Sequence, residues 1–396
     1  MTRRHDRLLA ALGIGLLLAL LPTCGQSDRD VTEGRSRSRG HGDVAGSGSG
    51  DAGVFSVPVH KSPPPGEPAS GNIYEHTGPG DMSPAVAGVP TRVYVPNSES
   101  DTVDVIDPAT FQVVDHFTTG HQPQHVAPSW DLTKLYVEST EGDSLIVVDP
   151  KTGKPGETLP VSDPYNMYFT PDGSRAIVVA ERLLRLDFRD AHTFALLNSV
   201  PIPYPGVDHL DFSADGSFLL VSAEYSGWVV KVDLKQMAVT GTLHVGGSPI
   251  DVKLAPDGTV FYVANQQRNG VSVVDPDTMR EVDFIPTGKG AHGLYPSRDA
   301  KSLYVSNRLD GSVSVIDFAT RRVTATWTIG GSPDMGGVSA DGSQLWLAGR
   351  YDASVYVINT ATGKLLATIP VGHGPHGLAL FPQPGRFSLG HTGVYR

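Results

Sequence analysis

Tyr304-Val-Ser-Asn307, followed after five intervening residues by Val313-Ser-Val-Ile-Asp317, is the stretch on which the fold turns. Two short runs of β-formers across a polar turn read as an antiparallel hairpin. The pair recurs as Tyr262-Val-Ala-Asn265 with Val271-Ser-Val-Val-Asp275, and as Tyr94-Val-Pro-Asn97 with Val103-Asp-Val-Ile-Asp107. Asp131, Asp172, Asp215, Asp257, Asp299 and Asp341 follow one another at 41 to 43 residues, each opening a turn, so the repeat is near 42 residues long. Eight residues before these turns stand Pro123, Pro164, Val207, Pro249, Ala291 and Pro333, with Pro375 continuing the series. A further run follows a Thr-containing turn, as in Lys364-Leu-Leu-Ala-Thr-Ile-Pro-Val371.

Four short strands per repeat describe a four-stranded antiparallel blade, and blades set radially protect their edges. The expected fold is all-β, a β-propeller. The first unit begins at Arg92 without an inner strand, whereas the last ends in an orphan one, Pro375-His-Gly-Leu-Ala-Leu-Phe381. Joining them predicts seven blades, with the ring closed by a mixed N/C-terminal blade. The composition agrees: 45 Gly and 31 Pro among 396 residues, with only 18% charged, favour turns and short strands over long helices. A formal charge of −11 argues against nucleic acid as a partner, because phosphate binding needs clustered cations.

Arg3, Arg4 and Arg7 precede the apolar run Leu8 to Leu21, the layout of a secretory signal and too short for a comfortable bilayer span. The run ends at Leu21-Pro22-Thr23-Cys24, and Cys24 is the only cysteine, so no intrachain disulfide can form. This segment resembles a bacterial lipoprotein box, although Pro22 and Thr23 depart from the small residues usual there. The resemblance implies lipidation at Cys24, a membrane anchor through that lipid, and an extracytoplasmic address. The expected organisation is a signal peptide over 1–23, a flexible tether over 24–71, a lead-in over 72–90, the propeller over 91–385 and a tail over 386–396. The chain is read as a monomer.

The repeats resemble the YVTN family of propeller repeats through Tyr304-Val-Ser-Asn307, Tyr262-Val-Ala-Asn265 and Tyr94-Val-Pro-Asn97. Gly-His and Trp-Asp pairs of the WD40 kind do not punctuate them. The resemblance reaches the propellers of nitrous oxide reductase and cytochrome cd1 nitrite reductase. This chain carries neither a Cys-x-x-Cys-His haem site nor a cysteine-rich copper domain. It also extends to seven-bladed lactonases, which implies a hydrolase alternative resting on architecture; no serine-nucleophile elbow occurs in the repeats.

Blade topology puts the connections between blades and the loops after the second strands on one face, here called upper, around the axial opening. The two positions after each Pro equivalent include His125, His209, His292 and His376, four histidines in fourteen places, together with Asp251 and Met335. The ends of the second strands offer Asn97, Glu138, Glu181, Glu224, Asn265, Asn307 and Arg350. Glu181, Glu224, Asp251, Asn265, Asn307 and Arg350 are therefore candidates for binding a small ligand or a protein partner. His125, His209, His292 and His376 are candidate ligands for zinc or copper, and Met335 would add a soft donor favouring copper. The bland alternative makes these imidazoles turn residues that bond backbone carbonyls. A metal-free acid–base pair of a histidine with Glu181 or Glu224 is a third. Tyr225, Trp228 and Arg268 are expected in upper loops, and Trp130 and Trp346 in strands of the core. The tail is expected on the lower face, packing there or plugging the channel, with His391 outside the upper histidine ring.

Overall fold

The computed structural model describes residues 71–391 and 394–396. The signal segment, Cys24 and almost all of the tether lie outside them. The described residues form seven four-stranded antiparallel sheets, six of them running in chain order from an inner to an outer strand. Alternating Val and Ile residues explain the gradient of burial. In the second blade the inner strand Pro123–Pro128 is wholly buried, while the outer strand Lys154–Pro160 is almost wholly exposed. Outer strands such as Gln112–Thr118 accordingly carry polar residues on both faces.

The first blade is the predicted mixed one. Its inner strand Ala379–Phe381, from the far end of the chain, pairs with Arg92–Asn97 through Arg92 with Phe381, Val93 with Leu380 and Tyr94 with Ala379. Between blades, side chains supply the links that strands cannot. Asp211 accepts from the amide of Leu254 (2.8 Å), Asp251 from that of Leu294 (2.8 Å), and the Tyr168 hydroxyl from that of Leu210 (3.1 Å). These acceptors satisfy amides that would otherwise be buried unpaired, a loss of about 1–3 kcal/mol each.

The lower mouth is closed by the tail. The amide of Ser388 donates to the Trp130 carbonyl (3.1 Å) and that of Phe169 to the Leu389 carbonyl (2.9 Å), while Gly390 bridges Tyr168. The tail thus climbs alongside the short inner strand Asn166–Phe169 into the channel. Arg396 locks the end: its Nη2 lies 3.0 and 3.1 Å from the two oxygens of Asp211, and its guanidinium covers the Tyr74 ring at 4.7 Å. The lead-in crosses the same face, from Ile73 bonded to Pro256 to Met82 bridging Gly385.

Three placements differ from expectation. Trp346 is fully buried on a strand, but Trp130 lies in the turn after Pro123–Pro128 and stacks on Phe387 of the tail at 5.5 Å. Trp228 opens the strand Trp228–Asp233 instead of lying in a loop, and stacks on Tyr204 at 4.7 Å. His391 does reach the histidines from below, because the tail enters the channel.

Candidate functional site

In five blades the inner strand breaks register immediately after its Pro equivalent. Pairing jumps from Pro123 to His125, Val207 to Leu210, Pro249 to Val252, Ala291 to Leu294 and Pro333 to Gly336. Such bulges re-aim side chains. They fall on Asp208-His209, Ile250-Asp251, His292-Gly293 and Asp334-Met335, which is why consecutive residues, instead of alternate ones, supply groups to the axis. Gly377 has a related purpose: it lies against the His125 ring so closely that any Cβ would collide with it.

The result is a packed histidine cluster. Ring centroids are 5.3 Å apart for His125 and His209, 5.2 Å for His125 and His391, 4.6 Å for His209 and His391, and 4.7 Å for His125 and His376. His125, His209 and His391 each offer a nitrogen within 4.8 Å of the others, and all three are at most 1% exposed. His292, Asp334 and His376 form a second triad with the same spacing.

The two triads differ in chemistry. Nδ1 of His125 lies 2.8 Å from the Tyr165 carbonyl, which can only accept, so Nδ1 carries the proton and Nε2 is left without a partner. Nδ1 of His391 lies 3.1 Å from Oδ1 of Asn166, an oxygen identified by the Met167 amide that donates to it (2.9 Å). Nδ1 of His209 has Asp208 Oδ1 at 2.6 Å. For His125 and His391 the acceptor at Nδ1 fixes the tautomer and directs Nε2 as the ligand, the usual support for a metal-bound imidazole, whereas the His209–Asp208 approach is close but not a directed hydrogen bond. Burial holds His125 and His391 well below the ordinary imidazole range and His209 down to about 4, so all three are neutral, the form that ligates.

The second triad already contains a cation. Arg308 donates to Asp334 Oδ1 through Nε (2.9 Å) and Nη2 (2.6 Å), and its Nη2 also meets Nε2 of His292. Burial alone would raise the Asp334 carboxyl, but Arg308, followed by His292 and His376, holds it well below the usual range. Met335 belongs to this group, with its sulfur 3.2 Å from Nδ1 of His292. The four histidines grouped by sequence are therefore divided between two settings, and the soft donor stands with the one that holds a guanidinium.

Above them opens a cavity of about 460 Å³, lined by His292, His376, Tyr165, Glu181, Glu224, Arg308 and Arg350 among others. Burial, with Asp208 next, pushes the Glu181 carboxyl up to about 7 and that of Glu224 up to about 8. Arg350 donates to Ser98 Oγ (2.9 Å) and the Gly374 carbonyl (3.0 Å) at the wall. The remaining candidates serve the frame. Asn265 holds Ser248 and Gly246 (3.0 and 2.8 Å), Asn307 donates to Ser312 and Ser314 (both 3.0 Å), and Asp251 joins Lys253 (2.9 Å) to the next blade. Arg268 turns outward to Glu281 (2.6 Å).

Four groups at the axis escaped the sequence reading: His391, Asp208, Asp334 and Arg308. Asp208 and Asp334 stood at repeat positions already noted, next to His209 and Met335, and an acidic neighbour was the available signal. His391 lies outside the repeat and carried none.

No curated protein matches the chain. Among solved structures, it is similar to Kuenenia stuttgartiensis hydrazine synthase, at 17% identity and a TM-score of 0.56 over 64% of this chain and 87% of that one. A functionally unknown protein from Desulfotomaculum acetoxidans matches at 16% identity and a TM-score of 0.64 over 73% and 98%. The dihydro-heme d1 dehydrogenase NirN, in complex with DHE, matches at 16% identity and a TM-score of 0.58 over 74% and 75%. These likenesses are of fold. The YNCE-like β-propeller family model matches residues 80–384, most of the chain, and the chain belongs to that family.

Proposed function

We propose that this protein is an extracytoplasmic, lipid-tethered metal-binding propeller whose His125, His209 and His391 hold zinc or copper(II) beneath the upper cavity. The observation that carries the reading is the convergence of three buried, neutral imidazoles, two of them with a hydrogen-bond acceptor at Nδ1 and the third, His209, with Asp208 against its Nδ1. Three nitrogen ligands leave a coordination position open, the arrangement of metal centres that bind or activate a further molecule. Imidazole donors suit zinc and copper(II), and the placement of Met335 in the other triad removes the argument for copper(I). The metal would supply a Lewis-acidic centre. This chain's residues orient the imidazoles, exclude bulk water from them and present a polar cavity, where a small ligand entering from the upper face would meet Arg350 and the two glutamates.

Protein purified from its native compartment is expected to carry about one zinc or copper per chain by elemental analysis. His209→Ala and His391→Ala should each weaken zinc binding roughly 100-fold or more, beyond the 10–100-fold typical of losing a residue that only orients a ligand. His292→Ala should retain the metal. Metal-free protein that takes up no zinc, or undiminished binding in His209→Ala, overturns the reading.

The address is tested separately. Cys24→Ala is expected to move the protein from the membrane to the soluble extracytoplasmic fraction, read by fractionation and by loss of the lipid mass. Unchanged membrane association defeats the tether.

A further inference from the structure

The ligand set proposed above is sealed, since His125, His209 and His391 are at most 1% exposed, so a metal ion needs a route to it. From below, the way is closed by Phe387, Leu389 and Tyr395, all buried, and by the Arg396–Asp211 pair at 3.0 Å. From above, the cavity reaches Tyr165, whose ring lies 5.3 Å from that of His125 and 6.2 Å from that of His209. Beside Tyr165 in the cavity wall stand Glu181 and Glu224, from the same repeat position of consecutive blades. Among the described residues neither forms an ion pair. Asp208 lies against the histidines. It is 2% exposed, its Oδ1 lies 2.6 Å from Nδ1 of His209, and neither of its oxygens is satisfied by a directed hydrogen bond.

A row of oxygen donors that begins in an open cavity and ends against a metal-ligating imidazole is a path for a divalent cation. Carboxylates attract the ion and exchange its waters quickly. Imidazoles, the softer donors, hold a borderline metal more firmly. Resting on the metal reading, we infer that Glu181, Glu224 and Asp208 form an entry site that captures a divalent cation from the upper cavity and passes it to His209, His125 and His391.

An entry site speeds both arrival and departure and leaves the final equilibrium almost unchanged, because the end-state ligands are the same. The test is stopped-flow zinc uptake by mature full-length protein stripped with EDTA, with affinity measured against a competing chelator. At pH 8.5, where the Glu181 and Glu224 carboxyls, lifted to about 7 and about 8, are ionised, the Glu181→Gln/Glu224→Gln double variant is expected to bind zinc roughly tenfold more slowly, within the range by which charged clefts raise on-rates. Its equilibrium affinity should stay within about threefold of wild type, so that release slows in parallel. Glu141→Gln, which removes an exposed rim carboxylate from the same cavity, should change the rate less than twofold. A double variant that binds zinc at the wild-type rate and affinity overturns the entry site and leaves the metal reading standing. Equal slowing by Glu141→Gln overturns it too, by assigning the effect to overall charge. Wild-type protein that binds no zinc overturns both.

Discussion

Removal of residues 375–396 is expected to leave a chain with no cooperative unfolding transition and no near-ultraviolet signature of packed aromatics. The deletion takes away the inner strand of the first blade, and with it the pairs Arg92–Phe381, Val93–Leu380 and Tyr94–Ala379 that close the ring. It also removes Leu378, Leu380, Phe381, Phe387, Leu389, Val394 and Tyr395, all buried. At about 1.5–3 kcal/mol for each such side chain, the loss exceeds roughly 10 kcal/mol, comparable with the 5–15 kcal/mol that stabilises a whole domain. Asp211 would be left buried without Arg396, a cost of about 3–5 kcal/mol when one partner of a buried pair is deleted. Deleting only 386–396 separates the contributions. That chain keeps the closing strand and should fold, with reduced stability and an open lower mouth. A cooperative, wild-type-like transition in the longer deletion would show that the ring does not depend on the mixed blade.

Glu224→Gln is expected to stabilise the protein at pH 8.5 and to leave its stability near pH 4.5 almost unchanged, measured by urea unfolding in EDTA. Burial, with Asp208 next, lifts the folded-state carboxyl of Glu224 to about 8 from an ordinary 4.5, and that of Glu181 to about 7. Between those values the folded protein binds more protons than the unfolded chain. Stability therefore falls as pH rises from about 4.5 through about 8, and levels off above. The favourable contribution is fully present below the unfolded value and is lost as the folded group ionises. Glutamine keeps a neutral group of the same shape at every pH and removes that fall, on the order of 1–3 kcal/mol per site. The double variant with Glu181→Gln should be the flattest with pH, and should show less than the summed gain because the two charges act on each other. A stability curve that rises between pH 5 and 8, unchanged by Glu224→Gln, would contradict the buried, uncompensated character of this pair.

The period of the Asp turns and the Tyr-Val-x-Asn runs was sufficient for the blade count, and Arg92 and Phe381 at the two ends for the mode of closure. Both depend on interactions that repeat: period-2 alternation, turn chemistry and the need to pair every edge. The upper histidines were legible for the same reason, since His125, His209, His292 and His376 share a position relative to the Pro series. Which of them meet was not legible. A strand reading sends consecutive side chains to opposite faces, and the bulges after Val207, Ala291 and Pro333 break that rule, bringing Asp208 beside His209 and Asp334 beside His292.

By itself, then, the sequence determined a closed seven-bladed ring with imidazoles at one mouth, because local hydrogen bonding and burial repeat every 42 residues or so. Only the tertiary structure decided the partners. Arg308 crosses into one triad and His391 climbs into the other from a tail with no repeat to announce it. Those contacts join groups 26 residues apart, for Arg308 and Asp334, and 225 apart, for His391 and Asn166, through the shape of the channel alone.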